Sequence, residues 1–213
     1  MICVLWISSL WLWTHVCLYP TPTPNIEHSE LALGRKLGEG GFCSVFEVNK
    51  VTLLSEAANA EEQTQSSKKK EFHTRKYMSE VYLRKNAEGT KDARYAIKRL
   101  SANSLADADQ FEKGIADLAT EAHLLAIIQH PNIIKVRGFA LTEFCTDGFF
   151  IMMDRLYDTL DKAIRNWDAT IKKNSTIFKS MRGGKQKIAD LFVERIEYAY
   201  DLASAMEHLH SMK

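Results

Sequence analysis

The chain has 213 residues, 28 Lys and Arg against 27 Asp and Glu for a formal net charge of +1, with 46% hydrophobic and 26% charged residues. That composition supplies a globular core, excludes a chain disordered throughout, and gives no electrostatic footprint for nucleic acid. The length allows one domain or part of a larger one, not two full domains. Cys3, Cys17, Cys43 and Cys145 form no C-x-x-C pair, and of seven histidines only His208 and His210 stand close together, so neither a disulfide framework nor a metal site is expected.

Residues 1–19 carry no formally charged side chain, hold Trp6, Trp11 and Trp13, and run into Pro20-Thr21-Pro22-Thr23-Pro24, a stiff extended spacer. The segment is at the lower edge of the roughly 20 residues a membrane span needs and longer than a usual signal core, and it lacks a basic start and a cleavage site. A short membrane anchor, an uncleaved signal-like segment and translated sequence foreign to the natural protein remain open. From Asn25 the composition turns globular. Strands are expected over Leu31 to Leu37 and Ser44 to Leu53, joined by Leu37-Gly38-Glu39-Gly40-Gly41-Phe42-Cys43-Ser44-Val45. Three glycines there let the backbone take positive φ and approach a ligand, and such a turn can aim several N–H groups at phosphate oxygens.

Residues 55–70 lack apolar periodicity and end in Lys68-Lys69-Lys70, which reads as a solvated insertion that proteases should cut first. A helix is expected over 71–86, a turn at 87–90 and a strand over Ala93 to Leu100. Phe111, Ile115, Leu118, Ala122 and Leu125 recur at helical spacing, which predicts an amphipathic helix over 105–129 that stops at His130-Pro131-Asn132. Strands over Ile133 to Leu141 and Phe149 to Asp154 flank a turn at Thr146-Asp147-Gly148. A short helix over Thr159 to Trp167 follows. Residues 166–187 hold six basic side chains against Asp168 and read as a solvated loop. Ile188, Phe192, Ile196, Ala199, Leu202, Met206 and Leu209 line one face of a last helix, Ile188 to His210, of the kind found in a core.

Four signals in order, the glycine stretch ending at Val45, Tyr95-Ala96-Ile97-Lys98, a glutamate in the following helix and His130-Pro131-Asn132-Ile133, resemble the amino-terminal lobe of a eukaryotic protein kinase. The resemblance runs from about Leu31 to Lys213. It implies an α+β fold, with a kinase-like small lobe over 31–156 interrupted by an insertion at 54–92. The first helices of a large lobe follow over 157–213, with the basic insertion at 166–187, and residues 1–30 form a leader and spacer. It further implies that Lys98 pairs with ATP phosphates and with Glu121, which the helix face favours over Asp117 or Glu112. Residues Leu37, Gly38, Glu39, Gly40, Gly41, Phe42, Cys43, Ser44 and Val45 would cover the nucleotide, with Ala96 beside the adenine. Met153 would guard the back of the pocket, and the backbone of Asp154 and Leu156 would meet the adenine edge.

Cys43 stands where the family has its third loop glycine, and no H-R-D, D-F-G or A-P-E stretch occurs in the chain. The resemblance thus implies the ATP-binding part of a protein kinase, with protein hydroxyls as acceptors and Mg2+ held by residues this chain does not contain. It also implies no phosphoryl transfer by the chain as given, an uncovered apolar stripe on the last helix, and a cytoplasmic kinase portion. A pseudokinase or nucleotide-binding scaffold acting through contacts is the alternative.

Overall fold

A computed structural model describes residues 23–53, 66–85, 89–142, 146–174 and 184–212, with side chains of the helix that begins at 66 described from 69 onward. The leader at 1–19 and most of the 55–70 insertion lie outside the described residues. The chain divides into two units, residues 1–129 with 134–155 and residues 130–133 with 156–213.

The first unit is α+β. In chain order it contains β1 Asn25–Ile26, a 3-10 turn at His28–Glu30, β2 Leu31–Glu39, β3 Cys43–Val51, α1 Ser66–Glu80, β4 Leu83–Lys85, β5 Lys91–Ala93, β6 Tyr95–Leu100, α2 Ala102–Ala106, α3 Ala108–Ile127, β7 Val136–Ala140 and β8 Phe150–Asp154. Six strands form one sheet in the order β1-β7-β8-β6-β3-β2, antiparallel except for the parallel pair of β1 with β7, while β4 and β5 make a separate hairpin. Ile97, Ile151 and Met152 on the central strands and Leu118 of α3 are fully buried. The helical spacing of Ile115, Leu118 and Ala122 is what turns α3 onto the sheet. Gly114 lets it come close, because a Cβ there would stand 2.9 Å from that of Phe42.

Several sequence expectations need correction. Residues 66–70 are helical, the first turn of α1. The helix expected over 71–86 forms as far as Glu80, with Phe72 buried and Met78 in the core, while Leu83–Lys85 is a strand. Ionic tethers also hold α1: Arg75 pairs with buried Glu30, and the Glu71 carboxylate accepts from the Asn25 N–H at 3.0 Å. The expected helix over 105–129 is two helices. Asp107 ends α2 and caps α3 by accepting from the Gln110 N–H at 2.8 Å, which forces the break.

The second unit contains α4 Leu160–Asn174 and α5 Lys185–Ser211. The basic stretch is therefore not one loop: residues 166–174 belong to α4 and 185–187 to α5, and Lys172 and Lys173 sit in the last turn of α4, where cations favour a helix C-terminus. Trp167 is buried, edge-on to Tyr198 at 5.2 Å. The stripe on α5 forms as the spacing predicts, and Phe192, Ile196, Leu202, Met206 and Leu209 are exposed, in line with the expectation of an uncovered stripe. Among the described residues no helix is long and apolar enough to cross a membrane.

Candidate functional site

The sheet brings together most of the residues singled out in the sequence. In the β2–β3 hairpin Gly38 lies opposite Val45 and Glu39 opposite Ser44. Val45 in turn faces Lys98 on β6, and Ala96 faces Met153 on β8, as Tyr95 faces Asp154. Lys98 makes an ion pair with Glu121, and both side chains are partly buried. The pairing follows from two periodicities. Lys98 takes its face from the two-residue alternation of β6, and Glu121 sits three residues past Leu118, on the edge of the stripe that packs on the sheet.

The glycine stretch differs from expectation in its backbone. Among the described glycines only Gly89 has a positive φ, so Gly38, Gly40 and Gly41 are not required by left-handed conformation. A Cβ at Gly38 or Gly41 would meet no atom within 4 Å, so packing does not require glycine there either. Without side chains the backbone at these two positions is left uncovered. The turn is closed by the Gly40 N–H donating to the Cys43 carbonyl at 2.7 Å. Glu39 pairs with Lys36 at 2.6 Å, and that hydrogen bond and charge hold its carboxyl below the usual range.

The tether of the loop to the helices escaped the sequence reading. The Phe42 carbonyl accepts from the Ser101 N–H and the Ser104 hydroxyl, each at 2.8 Å. Ser101 also caps α2 by accepting from the Ser104 N–H at 3.2 Å. A serine just before a helix, with a second polar residue three positions on, is a capping signal that could have revealed this.

At the other end of the site Arg137 of β7 holds Asp154 through two bonds, Nε to Oδ1 at 2.8 Å and Nη2 to Oδ2 at 2.7 Å, and the carboxylate raises the Arg137 pKa above its usual value. The Asp154 N–H donates to the Lys135 carbonyl at 3.1 Å, so of its two backbone groups only the carbonyl is eligible to meet a ligand. Leu156 belongs to the second unit and is exposed.

Cys43 is a buried free thiol, and its pKa is pushed up by burial first, with the Lys98 charge opposing. Burial likewise pushes up Tyr95. Both groups are more acidic unfolded than folded. Their stabilising contribution is therefore fully present below the ordinary thiol and phenol pKa values and is lost as pH rises through the raised ones. Alkylation of Cys43 by iodoacetamide at pH 8 should run about tenfold or more slower in the native chain than in urea. Peptide mass spectrometry measures this, and equal rates would contradict the buried, protonated thiol.

Comparison with known proteins gives one relationship of note. Over 116 residues, 54% of this chain, the sequence is 26% identical to a probable serine/threonine-protein kinase of Dictyostelium discoideum. The match spans 7% of the length of that relative. No protein-family model matches the chain. The similarity supports a kinase-like relationship at low identity.

Proposed function

We propose that this chain carries the nucleotide-binding part of a protein kinase, with ATP held between the β2–β3 hairpin and β6. The observation that carries the reading is the Lys98–Glu121 ion pair, set beside two glycines whose missing side chains neither φ nor packing explains. An ammonium fixed by a carboxylate presents its remaining N–H donors in a set direction, as binding of the α- and β-phosphates requires. Backbone groups of the glycine stretch would cover the phosphates. Val45, Ala96 and Met153 would form the apolar walls of the base, and the carbonyl of Asp154 its polar edge. ATP supplies the γ-phosphoryl group that a kinase moves to a protein hydroxyl. The Dictyostelium relative favours serine and threonine hydroxyls over tyrosine.

Among the described residues no cluster of three acidic, histidine or cysteine side chains could hold a metal ion. The role assigned to the chain is positioning of nucleotide.

Calorimetric titration of the full chain with MgATP should show weak, saturable binding, and Lys98→Met should weaken it at least about tenfold, or about 1.4 kcal/mol. Glu121→Gln should weaken it less, because the lysine charge remains. Binding that is absent, or indifferent to Lys98→Met, would overturn the proposal.

A further inference from the structure

Away from the Lys98 site, the first unit has a half-open concavity of about 520 Å3 whose charged lining is entirely basic, with Lys70 and Lys135 exposed at its surface. Lys70 and His73 come from α1, Lys135 from just before β7 and Arg137 from β7 itself, while the last turn of α3 and the entry to β1 complete the wall. The four basic side chains are not equivalent. Arg137 is neutralised by its paired bonds to Asp154. Among the described residues neither Lys70 nor Lys135 makes an ion pair.

One ordinary reason for lysines at this place is the C-terminus of α3, whose last carbonyls draw in cations. That end carries only about half a unit of negative charge. Two lysines thus leave more than one positive charge in one concavity, with no acidic lining residue to offset it. The walls are also fastened before any ligand arrives. The Glu71 carboxylate accepts from the Asn25 N–H, and Arg75 pairs with Glu30, so α1 is tied to the segment around β1 on two rungs. A site whose walls are pre-set loses less entropy when it is filled.

We infer that this cavity binds a small phosphate-type dianion, with Lys70 and Lys135 as its main charge partners. A concavity of this size has room for one small anionic group, free or on a side chain. The charge needed is two, and a compact tetrahedral oxyanion can accept from two ammonium groups at once. Phosphate of this kind could arrive free or as one phosphorylated side chain. The assignment stands independently of nucleotide binding at Lys98.

The test titrates the full chain with inorganic phosphate at about pH 7.5, and separately with a short peptide bearing one phosphoserine, at about 0.1 M salt so that diffuse attraction is screened. Saturable binding is expected, weakened about tenfold or more in Lys70→Gln/Lys135→Gln and unchanged in Lys98→Met. Tighter binding of inorganic phosphate identifies a free source, and tighter binding of the phosphopeptide a chain-borne one. Hydrogen–deuterium exchange of the unmodified chain serves as a second readout should the double variant fold poorly. Phosphate should protect residues 70–74, 125–129 and 134–137. Absence of saturable binding, protection confined to the glycine stretch, binding unchanged in the double variant, or tighter binding of an unphosphorylated Asp/Glu-rich peptide would each overturn the inference.

Discussion

Arg75→Ala should destabilise the first unit by about 3 kcal/mol, measured by urea unfolding. The Glu30 side chain is 1% exposed and that of Arg75 16% exposed, so the pair lies in a poorly solvated place. Removing one partner of a buried pair costs about 3–5 kcal/mol, because the other charge is left where water cannot reach it. The lower end applies here, since the Glu27 N–H still donates to Glu30 at 3.0 Å. The double change Arg75→Met/Glu30→Met should recover most of the loss, as apolar replacements of buried pairs often do. A cost for Arg75→Ala under about 1 kcal/mol would place the pair with ordinary surface ion pairs and remove one fastening of α1.

Leu118→Ala should cost about 3 kcal/mol and, on the nucleotide-binding function proposed above, weaken MgATP binding in the same variant. Leu118 is 0% exposed at the centre of the α3 face, and truncating such a leucine costs about 2–5 kcal/mol through lost burial and the cavity left behind. Glu121 lies less than one turn further along α3, so a helix that settles into that cavity carries the carboxylate away from Lys98. Leu124 on the same helix is 50% exposed. Its truncation should stay within about 0.5 kcal/mol. Equal costs for the two leucines would mean that α3 presents a different face to the sheet.

The parts of this molecule that could be read from the sequence are those where one periodicity decides burial. The stripe from Phe111 to Leu125 announced α3 and the side from which Glu121 reaches β6, and the turn residues at 87–90 followed by an apolar run announced the strand that contains β6. The start of α1 was hidden because its anchoring is largely ionic. Lys68-Lys69-Lys70 reads as solvated, and nothing local says that Glu71 and Arg75 will find Asn25 and Glu30, over forty residues away. The extension of α4 to Asn174 was hidden by reading Lys172 and Lys173 as loop charge when they suit a helix end. The stripe on α5 was legible, but periodicity states which side chains share a face and not what covers that face. The glycine stretch was legible as a site candidate for a partly mistaken reason, since open space and not positive φ distinguishes Gly38 and Gly41.

The two bonds that the Phe42 carbonyl accepts from Ser101 and Ser104 make the glycine turn a lever with a fixed fulcrum. Its far arm, Gly38 to Gly41, is held instead by the pairing of β2 with β3 and by the Gly40 N–H on the Cys43 carbonyl. Ser104 is fully buried and both serines are engaged with each other, so the fulcrum is set by the junction of β6 with α2. A continuous run of contacts thus leads from the turn to α2, and across Asp107 to the first turn of α3, the helix that carries Glu121.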